Sequence, residues 1–273
     1  MYKPEVLSMF GIPNEFSNYP KKTCIFIDGL WMDRKEFIDA EYRVFIGGLE
    51  PRKIIDTIYK QQDLIDNSNK FDLILTSFEE VLSKVPNSKL FPFGSSWIKK
   101  DFNRIASNYE LSFLCGPKNH PVNHPHHLPG HAFRHEVFDN ISKIKNIPLK
   151  AMFSIDPNNK QYIFNTSQFS IIMENSVRDN YFTEKLIDCL ITKTIPIYHG
   201  CSNIGDYFNK KGIITFSDLN DLLSKISMLN ENIYKNKLDV IEENYQKALE
   251  YFDFHKRVDQ IIQQKQINYN NIK

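Results

Sequence analysis

Short apolar runs of β-strand type recur along this chain, and each is separated from the next by a stretch of helical character. In the first half the runs are Cys24-Ile25-Phe26-Ile27, Arg43-Val44-Phe45-Ile46, Phe71-Asp72-Leu73-Ile74-Leu75 and Lys89-Leu90-Phe91. Residues 34–40, 53–58 and 78–84 read as helices between them. The second half repeats the scheme. It has strands at 111–115, 169–173, 195–198 and 212–216, and helices near 132–145, 183–192 and 218–228, the last with Ser217 as its expected cap. Strands that alternate with helices predict an α/β fold with parallel sheets, because a parallel pair needs a long crossover that a helix normally supplies. The order divides near Ser107–Tyr109, which predicts two Rossmann-like domains, 1–108 and 109–273. The segment from 230 to 264 reads as mostly helical, and 260–273 either packs back across the halves or trails.

Composition narrows the classes. With 273 residues and 41% hydrophobic residues, the chain can bury cores without disulfide or metal staples. Lys plus Arg number 34 against 33 Asp plus Glu, a net charge of +1, which argues against a basic nucleic-acid-binding domain. Cys24, Cys115, Cys189 and Cys201 form no C-x-x-C pair, so buried thiols of a reducing compartment are expected. No apolar run approaches the roughly 18 residues of a membrane span, and the charged, proline-containing start is unlike a signal peptide. A soluble, cytoplasmic protein without a transmembrane segment is the expectation.

The densest polar constellation is Glu174-Asn175-Ser176, Tyr181 and Thr183-Glu184-Lys185. It joins the end of an apolar strand to the start of a helix with an apolar stripe at Leu186, Ile187, Leu190 and Ile191. Ligands of α/β sheets bind at the carboxyl ends of strands, and a helix N-terminus favours anions. Lys185 in the first turn is a cation at the end where anions are the rule, a departure that a bound phosphate would explain. The loop also reads as a capped surface turn, with Thr183 as cap and Lys185 in solvent.

Phe169-Ser170-Ile171-Ile172-Met173-Glu174-Asn175-Ser176, then Tyr181-Phe182-Thr183-Glu184-Lys185-Leu186, then Thr194-Ile195-Pro196-Ile197-Tyr198-His199-Gly200 resembles the donor-binding signature of glycosyltransferase family ten, the α1,3/α1,4-fucosyltransferases. Upstream, Gly130-His131-Ala132-Phe133-Arg134 resembles the family's small-x-x-x-R element, and residues 43–51 resemble a strand leading to an E-P loop. Residues 71–76, 86–88 and 93–97 resemble the acceptor domain of bacterial and viral-type relatives. The resemblance implies a GT-B-like pair of Rossmann-like domains facing across a cleft, the first binding a glycan acceptor and the second a nucleotide sugar, with GDP-fucose favoured. It implies an inverting transfer without metal or other cofactor, and the chain contains no D-x-D triplet. Lys185 and Arg134 match diphosphate contacts and Glu184 a ribose contact. Asn175 and Tyr181 match positions lining sugar and phosphates, and Glu174 either holds the loop or touches the sugar. Glu50 is the expected catalytic base, with Glu79 and Glu80 as fallbacks. Golgi members carry an anchor, so the likeness is to soluble bacterial or viral types. The acceptor would be an oligosaccharide, glycolipid or glycoprotein.

One segment departs from that pattern. His120, His124, His126, His127, His131 and His135 are six of the eight histidines, interleaved with Pro121, Pro125 and Pro129. No cysteine pattern accompanies them, so a loop over the donor site that titrates near pH 6.5 is expected rather than a metal centre. His131 is placed to touch a diphosphate. The alternatives are the same scaffold with another nucleotide-sugar donor and a non-catalytic glycan-binding subunit, which would have no need of Arg134, Glu184 and Lys185. An NAD enzyme would want G-x-G-x-x-G after the first strand, where the chain has Asp28-Gly29-Leu30.

Overall fold

The computed structural model describes residues 1–99, 101–118, 120–121, 124, 127–154 and 156–270. It divides into two compact units, 1–93 with 253–273 and 94–252. Each is built on one five-stranded, all-parallel sheet, as the alternating pattern predicts.

The first unit holds β1 (Glu5–Ser8), β2 (Thr23–Ile27), α1 (Lys35–Ile38), β3 (Tyr42–Gly47), α2 (Arg52–Ile55), α3 (Gln61–Asp66), β4 (Leu73–Thr76), α4 (Glu79–Lys84) and β5 (Ser88–Leu90). Its strands lie side by side in chain order, β1-β2-β3-β4-β5. Right-handed crossovers in an unreversed order put all their helices on one face. That face buries Cys24, Phe26, Phe45 and Ile74 under Phe37, Ile55, Leu64 and Val81 of α1 to α4. The opposite face, with Ile25, Ile27, Val44, Ile46, Leu73 and Leu75, needs a separate cover. Phe16 and Tyr19 supply part of it, and Phe254, Val258 and Ile262 of the C-terminal helix supply the rest. Asp259 on that helix accepts from the Ser17 backbone N–H (3.0 Å) and the Tyr19 hydroxyl, and burial pushes the Tyr19 phenol upward.

The second unit holds β6 (Asn108–Cys115), α5 (Pro129–Asp139), β7 (Leu149–Phe153), α6 (Pro157–Phe164), β8 (Ser167–Met173), α7 (Glu184–Ile191), β9 (Ile195–His199), β10 (Ile214–Thr215), α8 (Leu219–Ser227), α9 (Glu231–Lys235) and α10 (Leu238–Leu249). The cover of the first sheet is α11 (Phe254–Asn270). The second sheet runs β10-β9-β8-β6-β7, so the order reverses between β6 and β8. The reversal sends α5 to one face, where Val137 joins Leu222 and Ile226 of α8. It sends α6 and α7 to the other, where Ile163, Phe164, Leu186, Ile187 and Leu190 pack.

Several expectations are corrected. The division falls at Phe93/Gly94 rather than at 108/109, and 253–273 belongs to the first unit, because the unreversed sheet requires α11 as its second layer. Close packing fixes Gly94 in the second unit, since a Cβ there would meet the Phe182 ring at 2.8 Å and Tyr251 at 3.0 Å. The helix after β6 starts at Pro129, a residue suited to the first helical position, and stops at Asp139. Asp218, not Ser217, caps α8, accepting from the Asp221 N–H. β10 is only two residues long because Lys210–Gly212 is a 3-10 turn. The edge strands β1 and β7 and the helices α3 and α6 were not foreseen.

Candidate functional site

In a parallel sheet whose strand order reverses, the loops leaving the two strands at the reversal diverge to opposite faces and leave a crevice between them. In the second unit that place is the carboxyl end of β6 and β8. The chain after β6 enters α5, which carries His131 and Arg134. The chain after β8 carries Glu174, Asn175 and Tyr181 and then enters α7 with Glu184 and Lys185.

Glu174 is fully buried where β8 ends. Its carboxylate accepts from the Thr183 backbone N–H (2.9 Å) and hydroxyl (2.7 Å), which closes the loop 174–183 onto the start of α7. Burial pushes this carboxyl up, and Lys185 opposes the shift from 3.6 Å. Through these two bonds Glu174 ties the loop to the start of α7. Gly200 leaves room for it, since a Cβ there would stand 2.5 Å from Glu174 Cγ. Within the loop Asn180 takes a left-handed backbone (φ 59°), which Asn tolerates better than most residues. It is fixed by Asn203 Oδ1, which accepts from the Asn180 N–H at 2.8 Å. Tyr181 is buried beneath the Arg178 guanidinium, 4.5 Å from the ring centre.

Thr183 caps α7, its hydroxyl oxygen accepting from the Lys185 N–H at 3.4 Å. Lys185 Nζ stands 3.1 Å from that hydroxyl oxygen and 3.3 Å from Glu184 Oε1. The unusual cation in the first helical turn is thus matched by two carboxylates already present, so the capped turn and the charged site are one structure. Arg134 is buried and donates through Nη2 to the Met173 carbonyl (2.9 Å) and to Asn175 Oδ1 (2.8 Å). It therefore ties α5 to the end of β8. Gly130 permits this approach, because a Cβ there would come within 2.5–2.6 Å of the Glu174 and Asn175 backbone.

Beneath these residues lies a group the sequence did not reveal. Lys160 of α6 is buried and reaches Asp188 Oδ2 at 2.8 Å and Glu184 Oε1 at 3.3 Å. Its ammonium lies 4.0 Å from the centre of the Trp97 ring. Asp188 also accepts from the Ser96 hydroxyl (2.8 Å) and the Trp97 N–H (2.8 Å). Burial alone would raise the Glu184 pKa, but Lys160 and Lys185 outweigh it and hold this carboxyl well below the usual range. Burial pushes Asp188 up, and Lys160 and Ser96 pull the other way. Three cations, Arg134, Lys160 and Lys185, thus face three acids, Glu174, Glu184 and Asp188. The i, i+4 spacing of Glu184 and Asp188 on α7 was the only available signal. Lys160 had none.

The structure brings Arg134, Glu174, Asn175, Tyr181, Glu184 and Lys185 together. Glu50 belongs to the first unit, half-buried just beyond the carboxyl end of β3. The turn before it is clamped by Asp28, whose carboxylate accepts from the Gly48 (2.8 Å) and Leu49 (3.0 Å) N–H groups. Asp28 and Gly48 both take positive φ, 51° and 97°. Glu79 and Glu80 open α4, and Glu80 pairs with Arg52 at 3.2 Å.

The histidines do not act as one set. His120 and His124 stack at 4.2 Å, His127 contacts the His120 carbonyl, and His135 contacts the Gly116 carbonyl at 3.1 Å. His126 and Pro125 lie outside the described residues. Among the described histidines only His131 is buried in the charged cluster, and burial with Arg134 and Lys185 pushes its pKa down to about 4, below the titration near 6.5 expected for the loop.

A model of the C-terminal region of glycosyltransferase family 10 (fucosyltransferase) matches residues 127–272. A putative fucosyltransferase of Acanthamoeba polyphaga mimivirus is 37% identical over 99 residues, which are 30% of this chain and 16% of that protein. An alpha-(1,3)-fucosyltransferase of Helicobacter pylori is 26% identical over 122 residues, 42% of this chain and 26% of that protein. The matched stretches thus span about a sixth and a quarter of those relatives' lengths. A crystal structure of an alpha1,3-fucosyltransferase shares the fold at a TM-score of 0.51 and 17% identity, over 89% of this chain and 81% of that one. The expected GT-B class, two Rossmann-like parallel-sheet units, agrees with that likeness. Among the described residues no helix is long and apolar enough to cross a membrane.

Proposed function

Because the chain belongs to glycosyltransferase family 10 (fucosyltransferase), its model matching more than half of the sequence, we propose that the protein transfers fucose from GDP-fucose to a hydroxyl of a glycan acceptor. The observation that carries the reading is the convergence of Arg134, Glu174, Asn175, Glu184 and Lys185 at the strand reversal of the second sheet, inside the matched region.

In this reading Arg134 and Lys185 hold the diphosphate, with Arg134 presenting a planar fork of donors suited to phosphoryl oxygens. Glu184 is held ionised by its lysines, so it accepts from the ribose hydroxyls. Asn175 and Tyr181 line the sugar and phosphates, and Glu174 shapes the loop that carries them. Glu50 takes the proton of the acceptor hydroxyl as its oxygen bonds to the anomeric carbon. The bond from that carbon to the phosphate breaks on the opposite face, and GDP leaves with the electron pair. The configuration inverts, through a transition state of oxocarbenium character. Preorganised cations at the diphosphate gain most as its charge grows, which is where catalysis is needed. The scheme asks for no metal and no other cofactor. The partners are the donor and an oligosaccharide, glycolipid or glycoprotein acceptor, and the setting is cytoplasmic.

The test is a thermal-shift screen of GDP, UDP and CMP, followed by transfer of labelled fucose from GDP-fucose to a glycan panel. A selective rise with GDP and transfer with inversion are expected. A rise with UDP alone would assign another donor to the scaffold, and GDP binding without transfer to any glycan would favour a binding subunit.

A further inference from the structure

His131 is the third residue of α5 and is 6% exposed. Its Nδ1 is buried with no hydrogen-bond partner among the described residues. Buried polar atoms are nearly always paired, so an orphan in the middle of a polar cluster calls for a partner from outside the chain. The surroundings define that partner. Arg134 stands one turn along the same helix face, and Lys185 and Lys118 add positive charge. Asn175 hydrogen-bonds the ring and opposes the shift, but burial and these cations outweigh it, push the pKa down to about 4 and keep the imidazole neutral at pH 7. A neutral ring carries one N–H, and in the tautomer that leaves Asn175 to the other nitrogen and puts the proton on Nδ1, this N–H in a cation-lined, buried position wants an anionic oxygen. Gly130 sets the height of the ring, since it lets the first turn of α5 press against the Glu174 and Asn175 backbone.

We infer that His131 is a ligand of the donor diphosphate, its Nδ1–H donating to a phosphoryl oxygen held between Arg134 and Lys185. The inference rests on the donor-site reading above and adds to it a residue that the rest of the cluster does not require. A neutral His131 donates through a single N–H and carries no charge. It therefore strengthens the grip on the diphosphate as charge accumulates there without adding a fixed charge to a balanced site.

The test compares GDP with guanosine, which lacks the phosphates, on the wild type, His131→Phe and His131→Gln, using calorimetry for GDP and competition NMR for guanosine. Loss of a charge-assisted hydrogen bond should weaken GDP about tenfold or more in His131→Phe and leave guanosine unchanged. His131→Gln, which keeps an N–H donor, should recover most of the loss. In wild-type protein with 15N-labelled histidine, GDP should shift the His131 Nδ1 resonance and guanosine should not. GDP affinity unchanged in His131→Phe, or equal losses for GDP and guanosine, would overturn the inference. If His131→Phe does not fold, an Nδ1 resonance unmoved by saturating GDP would overturn it instead. A wild type that binds neither ligand would bring down the donor-site reading itself, a different outcome from either.

Discussion

The two sheets have the same number of parallel strands and differ in one topological respect. The first keeps chain order from edge to edge, and the second reverses between β6 and β8. The consequences differ on both sides of the comparison. Without a reversal the first sheet gathers its crossover helices on one face and must import α11 for the other, so its special features are the apolar cover and the Asp259 latch onto Ser17 and Tyr19. With a reversal the second sheet covers both faces from within, and its diverging loops leave a place where three cations and three acids meet. One unit spends its chain end on stability, while the other gathers charge at its strand reversal. The lesson is that strand order, more than strand composition, decides which half can carry an anion site.

Substitutions can break this contrast. Glu50→Gln tests what the first unit contributes. A general base is worth about 10²–10⁴ in rate, so transfer should fall by that factor while GDP affinity stays unchanged. Full activity in a coupled GDP-release assay would remove Glu50 as the base. Next, Lys160→Met strips Glu184 and Asp188 of their shared cation. Glu184 keeps Lys185, but leaving the buried Asp188 carboxylate without its cation costs about 3–5 kcal/mol, so urea unfolding should show a loss of that size together with weakened GDP binding. A near-neutral variant would mean that the lower layer of the cluster is dispensable.

Smaller effects sharpen the contrast. Asp259→Ala removes the latch on α11, and losing hydrogen bonds to a buried carboxylate costs about 1–3 kcal/mol. Hydrogen exchange should rise over 14–20 and 254–266, with GDP affinity unaffected. Faster exchange spread instead over 174–190 would contradict the assignment of α11 to the first sheet. A further effect is one of pH. The folded-state pKa of His131 lies near 4, below its ordinary value of 6.5, so below pH 6.5 the unfolded chain binds a proton that the native protein does not. Stability should therefore fall as pH drops from about 6.5 to 4 and show no further decline from this group below that. His131→Phe should flatten that slope in thermal melts, and an identical slope would show that His131 does not cause it.

The central strands were legible because strands buried on both faces of a parallel sheet read as unbroken apolar runs, as in Cys24–Ile27 and Phe169–Met173. The edge strands β1 and β7 were not, because residues such as Glu5 and Lys150 interrupt their pattern where solvent covers one side. Six site residues could be named because they cluster in two short segments with a recognisable spacing. Lys160 and Ser96 could not, since they reach the cluster from far along the chain with ordinary surroundings. The placement of α11 was equally silent, because nothing in the helix itself says which sheet lacks a cover. The orphaned Nδ1 of His131 was beyond any sequence argument, since it depends on what the folded chain fails to provide.

The central claim is that the strand reversal of the second sheet is the diphosphate-binding site. Isothermal titration of GDP into the wild type and into Lys185→Ala tests it most directly. The account predicts measurable GDP binding to the wild type and its abolition in a variant that melts as a folded protein. Equal affinity in the two proteins would contradict it.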